Sequence, residues 1–223
     1  KAASGRQIIA STHSSFVANK LGLENLILLS DDNCCSMQSL EKETFEFFKK
    51  VAGYDTLRLI LCKKSILVEG DSDELVVQRA YMDTHEGRLP IQDGIDVMTV
   101  GGVTFKRYLE IAQTLNKETA VVTDNDGNIE SVKKKYEEYE KTPCIHICVD
   151  EVVDTGDLKL SDKDFNYNTL EPKILKENGR DVMNKIFGTN YDADDEMHKY
   201  MYTHKTDCAI AIFESATKIK YPE

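Results

Sequence analysis

The sequence predicts an α/β fold with a parallel sheet flanked by helices, and three observations carry that expectation. Short apolar runs alternate with longer helical patterns through the middle of the chain. Two of those runs end in acidic clusters, "VEGDSDE" at 68–74 and "TDNDG" at 123–127. Beyond residue 171 the patterns are mostly helical, with turns at Gly179 and Gly188. Strands alternating with helices of this length imply βαβ units, and such sheets gather ligands at the carboxyl ends of their strands.

Taken in order, "RQIIAST" (Arg6 to Thr12) and "NLILLS" (Asn25 to Ser30) read as short strands, joined by a helical "SSFVANKLG" that ends at Gly22. From 41 to 64, Phe45, Phe48, Val51, Ala52, Leu57, Leu59, Ile60 and Leu61 follow a helical spacing broken at Gly53, which suits a connector. A regular rhythm follows. The spacing predicts strands at 65–68, 95–100 and 119–123, with helices at 73–85 and 104–115 between them. A charged helix, "NIESVKKKYEEYEK", then leads to the apolar run "PCIHICV". Within it "VKKKYEEYEK" is a solvated face with charges paired along the helix. Gly101 and Gly102 of "GGVTF" serve to turn the chain from strand into helix.

The 223 residues suffice for one large domain or one domain plus a fragment of another. With 41% hydrophobic and 30% charged residues and no run of membrane-span length, the composition is that of a soluble globular protein without a membrane role. The N-terminus lacks an initiator methionine and an apolar signal core, so the expectation is a piece of a longer, cytoplasmic protein. Cys62, Cys144 and Cys148 fall in apolar runs, which favours reduced thiols over disulfides. Cys144, His146 and Cys148 alternate along one predicted strand, but no second ligand pair follows, and zinc is disfavoured. A net charge of −11 argues against a nonspecific nucleic-acid coat, while leaving room for an enzyme that meets DNA through divalent cations.

Glu69 closes one predicted strand, and Asp124 and Asp126 close another, on the same edge of the sheet. Carboxylates crowded there raise one another's pKa unless cations neutralise them, which makes the clustering a metal-site hypothesis for hard divalent ions. Each cluster alone has a plainer reading. "EGDSDE" suits a turn and a helix cap at Asp71 or Ser72 with acids facing the helix dipole, and "DNDG" suits a turn. An EF-hand is a poor alternative because "DNDGNIESVKKK" lacks the closing acidic ligand.

"VEGDSDE" followed by "TDNDG" resembles the signature of the Toprim fold, a Rossmann-like sheet shared by topoisomerases, primases and some nucleases. The form it takes here is similar to the overcoming-lysogenization-defect (OLD) family, which joins an ABC-type ATPase to a C-terminal Toprim nuclease and includes the nuclease subunit of the Gabija anti-phage system. Three more stretches resemble that family. "QIIASTHSSFVANKL" is similar to the end of the ATPase core, where His13 would contact the γ-phosphate of ATP. "NTLEPKIL" is similar to the segment supplying a further metal-binding glutamate, Glu171. "HKTDCAIAIFES" is similar to a late helix that brings in a lysine, Lys205. Plainer readings stand beside these: a loop histidine, a first-turn acid, and a surface lysine with His204 as the rival polar group.

The resemblance implies a remnant of the ATPase at 1–40, a helical connector at 41–64, and a Toprim nuclease domain with a helical C-terminal part at 65–223. It implies DNA as substrate and two ions, Mg²⁺ or Mn²⁺. Glu69 and Asp73 would hold one ion, and Asp124, Asp126 and Glu171 the other. Glu69 and Lys205 would be catalytic; Asp71 and Glu74 fall outside the metal positions. The full-length protein would be a homo-oligomer regulated by ATP, with a helicase-like partner if it is a Gabija subunit. The chain departs from the family in lacking a G-x-x-x-x-G-K-[ST] loop, so it cannot hydrolyse ATP alone. Two other classes compete: an inert Toprim-like interaction and assembly module, and a phosphotransfer receiver, which has no use for "VEG" or a helical C-terminal half.

Overall fold

The computed structural model describes residues 5, 7–12, 14, 17, 20, 22–29, 34–50, 54–101 and 104–222. His13 lies outside them, as do Gly102 and most of the stretch read as a helix at 14–22.

Four strands form one parallel sheet: β3 (Lys64–Val68), β4 (Ile95–Thr99), β5 (Glu118–Val122) and β6 (Ile145–Cys148), in the order β4-β3-β5-β6. Leu67 lies opposite Met98 on one side and Val121 on the other, and all three are buried. A central parallel strand is covered on both faces, which is why "SILV" reads as a continuous apolar run. Ser65, buried within it, exchanges a hydrogen bond of 2.8 Å with Thr119 of β5. That pairing removes the cost of an unsatisfied hydroxyl.

Helices α1 (Lys42–Lys50), α2 (Tyr54–Leu61), α3 (Asp71–Thr84), α4 (Phe105–Thr114) and α5 (Ile129–Tyr136) surround the sheet. Leu59, Phe105, Leu109, Ile111 and Tyr136 from α2, α4 and α5 close one core with Leu67, Met98 and Val121. A second core gathers Val76 of α3 with the C-terminal helices α6 (Leu170–Asn178), α7 (Arg180–Phe187), α8 (Asp194–Thr203) and α9 (Lys205–Glu214). Arg79 of α3 ties the two layers: its guanidinium donates to the carbonyls of Ile212, Phe213 and Ser215 and to Asp83. These bonds satisfy carbonyls left open at the end of α9.

The expected alternation is present, with three corrections. Residues 7–12 are not a strand, and Ile8 and Ile9 are exposed at 76% and 88%. A tract this short needs a neighbouring strand to satisfy its backbone, and no pairing involves it among the described residues. The run at 25–30 does form β1 (Ile27–Leu29), but it pairs antiparallel with β2 (Cys34–Ser36) in a separate two-stranded sheet. A further small hairpin, β7 (Lys159–Leu160) with β8 (Lys163–Asp164), precedes the helical part. Among the described residues no helix is long and apolar enough to cross a membrane.

Candidate functional site

The site forms where β3 and β5 end. Glu69 follows β3, and Gly70 in extended conformation starts α3 immediately after it. The Gly70 N–H donates to Asp73 Oδ2 at 2.8 Å, so Asp73, three residues into the turn, caps the helix that carries it. The plain capping reading is thus realised through Gly70 and Asp73 rather than Asp71 or Ser72. Thr123, one residue past β5, donates to Glu69 Oε1 at 2.6 Å and links the two strand ends. Glu69, Asp73 and Asp124 line one small pocket with Val77, Val122, Thr123 and Leu170.

That pocket is a poor place for three carboxylates. Burial, followed by the charges of Asp73, Glu69, Glu171 and Asp126, pushes the Asp124 carboxyl up to about 8. Burial is also the main cause that raises Asp73, to about 6, against the lowering effect of the Gly70 N–H. A carboxyl that prefers its proton near neutrality stands in a field that a cation would relieve. The donors are all oxygens, the kind that hard divalent ions take. Among the described residues, no three His, Cys, Asp or Glu side chains already converge as a closed metal cage. The donor set therefore fits such an ion in kind, with its coordination not preassembled.

Glu171 lies in the first turn of α6 and is buried at 7% exposure. Its Oε2 accepts from Lys205 Nζ at 3.0 Å and from Thr169 Oγ1 at 3.3 Å. Its charge acts on both Asp73 and Asp124, which places it beside the pocket. Lys205, not His204, is the group turned to the acids. The His204 ring stacks on Tyr200 at 4.6 Å, and its Nδ1 lies 2.9 Å from Thr203 Oγ1. Asp126 stands apart: it is exposed, holds a left-handed φ of 48°, and accepts from Asn166 Nδ2 at 2.9 Å. Aspartate tolerates that conformation better than most residues, and its charge still reaches Asp124. Asp71 is exposed, while Glu74 accepts from Gln78 and from Thr99. The Cys144, His146 and Cys148 set is not a metal site, because Cys144 is buried in the core and His146 pairs with Glu118 at 2.7 Å.

What holds the "TDNDG" loop has no local sequence signal. Asn125 is buried, and its amide donates to the carbonyls of Asp150 at 2.7 Å and Val152 at 2.9 Å, while its Oδ1 accepts from Gly127 N–H. Lys173, 5% exposed, reaches the same loop and pairs with Asp150 at 2.7 Å and Asp154 at 2.8 Å. Burial works against its charge, yet its bonds to the two aspartates outweigh that and raise its pKa. Lys173 and Asn125 together fasten the segment after β6 against the acidic loop. The only advance signal for Lys173 was its place two residues after Glu171.

Residues 60–126 match the family model described as "Overcoming lysogenization defect protein-like, TOPRIM domain". The matched segment contains Glu69, Asp73, Asp124 and Asp126 and stops before Glu171 and Lys205. Two solved structures of the C-terminal region of the Xanthomonas campestris pv. campestris OLD protein are similar to this chain at 18% identity. The one phased with iodine covers 69% of this chain and 79% of its own, with a TM-score of 0.39. The one phased with platinum covers 70% and 79%, with a TM-score of 0.40. At these values the likeness carries no inference about activity. Comparison with curated proteins gives no match. The family match and the acids at the strand ends agree that residues 60–126 form an OLD-like TOPRIM region.

Proposed function

We propose that this chain is a divalent-metal-dependent DNA endonuclease that hydrolyses phosphodiester bonds. The observation that carries the reading is the crowding of Glu69, Asp73 and Asp124 in one pocket at the carboxyl edge of a parallel sheet, with two of the three pushed toward their neutral forms. A structural cluster has no need of such repulsion. A cation-binding cluster recovers its cost when ions bind.

Glu69, Asp73, Asp124 and Glu171 would hold the ions, Mg²⁺ or Mn²⁺, and Asp126 would stand at the rim. Bound there, the ions would activate a water and stabilise the leaving oxygen. The chain's own groups do the rest. Thr123 fixes the Glu69 carboxylate by donating to Oε1, and the Gly70 N–H fixes Asp73. Lys205 brings a positive charge to the same edge, where it would oppose negative charge building on the phosphate. Val77, Val122 and Leu170 form an apolar wall that strengthens these charge interactions.

The same reading makes an ATPase region the regulator, through His13 and ATP in a full-length homo-oligomer, in bacterial anti-phage defence, with a helicase-like partner if the chain is a Gabija subunit. Its support is the likeness of the stretch at 7–21 to the end of an ATPase core. The reading as a whole is tested by incubating the chain with supercoiled plasmid in Mg²⁺, Mn²⁺ or EDTA, beside Glu69→Ala. Metal-dependent nicked or linear product, lost in the variant, supports it. Intact plasmid from folded protein favours the inert assembly module.

A further inference from the structure

A wall of aromatic rings stands beside the Lys205–Glu171 pair and has no part in the chemistry described so far. Phe165, 8% exposed, packs edge-on against Tyr167 at 5.0 Å and against Tyr202 at 6.1 Å, and its ring lies 5.1 Å from that of His198. The wall runs from the core outward and ends in Tyr202 of α8, which is 53% exposed. Edge-to-face packing holds the Tyr202 ring in a fixed plane, with much of its surface open. The chain makes room for the wall: a Cβ on Gly156 would lie 2.4 Å from Tyr167 Cζ, so no larger residue fits there without displacing that ring. Lys205 Nζ lies 6.0 Å from the centre of the Tyr202 ring while bound to Glu171 at 3.0 Å. One ammonium group thus binds the acidic site and stands over an exposed, oriented aromatic face.

We propose that Tyr202 is a stacking platform for the base of a nucleotide next to the phosphate engaged at Lys205, and that the preferred substrate is single-stranded or locally unpaired DNA. This rests on the nuclease reading of the acidic site. A phosphate drawn to Lys205 brings its neighbouring nucleotide within reach of the ring. Only an unpaired base can offer that nucleotide's face, because in a duplex both faces are already stacked. Stacking on an aromatic ring is indifferent to base identity, so the device selects strand state and not sequence. It also supplies affinity that a chain of net charge −11 does not obtain from a broad basic surface.

The test measures binding of a fluorescein-labelled oligothymidylate, and of the same strand with abasic sites, in Ca²⁺ by fluorescence anisotropy. Tyr202→Ala should weaken binding of the oligothymidylate roughly 5- to 100-fold. It should leave the abasic strand unaffected, and Tyr202→Phe should bind as wild type does. Equal affinity of wild type and Tyr202→Ala for oligothymidylate, or an equal loss on both strands, overturns the platform, with circular dichroism checking that each variant is folded. Mn²⁺-dependent plasmid nicking, read separately, keeps the two failures apart. Nicking that persists while Tyr202→Ala binds normally refutes the platform alone, and absence of nicking by wild type overturns both readings.

Discussion

Lys205 Nζ stands 3.0 Å from Glu171 Oε2 and joins the first turns of two helices, the two residues lying 34 positions apart in the chain. The lysine side chain is 43% exposed and the glutamate 10%, so the pair sits at the boundary between solvent and the acidic pocket. Solvent screens such a pair, and its loss should cost only about 1 kcal/mol of stability. Its loss to catalysis should be far larger: Lys205→Ala is expected to lower plasmid cleavage about 100-fold or more, as removal of one charge-stabilising donor does. Chemical denaturation beside initial cleavage rates separates the two effects. A stability loss of several kcal/mol with cleavage retained would make Lys205 a structural residue.

Asp124 gives the site a pH signature. Its carboxyl rises from 3.8 in the unfolded chain to about 8 in the folded one, chiefly through burial. Well below pH 3.8 both states are protonated and the group is neutral in its effect. As pH rises toward 8 the unfolded chain ionises first, so the folded state loses stability across that window in the absence of divalent ions. Asp124→Asn removes the ionisation. It should stabilise the metal-free protein at pH 8 by roughly 1–3 kcal/mol and have little effect at pH 4, as read by urea denaturation. A variant destabilised at pH 8 would mean that the aspartate is held ionised by its surroundings.

Divalent ions should reverse that penalty. Mg²⁺ or Mn²⁺ is expected to raise the melting temperature of wild type, with a larger rise at pH 8 than at pH 5, because protons compete for the Asp73 and Asp124 carboxyls. At 100 times its dissociation constant an ion adds about 2.7 kcal/mol. The rise should shrink or vanish in Asp73→Asn. An equal rise in that variant would place ion binding elsewhere.

Lys173 should matter for folding more than for chemistry. It is nearly buried and holds Asp150 and Asp154, of which, among the described residues, only Asp154 has a second cation, Lys176 at 2.6 Å. Lys173→Met leaves the Asp150 carboxylate with the Val152 N–H but without its cation, and breaking such a pair is expected to cost about 3 kcal/mol. Adding Asp150→Asn removes the stranded charge and should restore part of the loss. If the double variant is no more stable than the single, Asp150 does not carry the penalty.

The sheet and the core of the site were legible because their signals are local. "SILV" followed by "EG", and "AVV" followed by "TDND", announce strands that end in acids, and the structure sets those ends side by side across the β3–β5 pairing. What was not legible depends on partners distant in sequence. Residues 7–12 carry a short apolar run, Ile8 to Ala10, yet among the described residues no strand pairs with it, and β7 and β8 are two residues each, too short for an alternating pattern. Lys173 read as one more helix residue, because Asp150 and Asp154 are brought to it only by the path of the loop after β6. The exposure of Asp126 was equally hidden, since the sequence gives Asp124 and Asp126 the same standing while the left-handed turn sends only the first into the pocket.

The most direct test of the central claim is a Mn²⁺ titration in which bound ion, by electron paramagnetic resonance, and plasmid cleavage are followed in the same preparation of wild type and Asp124→Asn. Occupancy and cleavage should rise together in wild type, and both should be lost or strongly weakened in the variant. Cleavage that persists in EDTA, or that survives undiminished in Asp124→Asn, would contradict a nuclease centre built on these carboxylates.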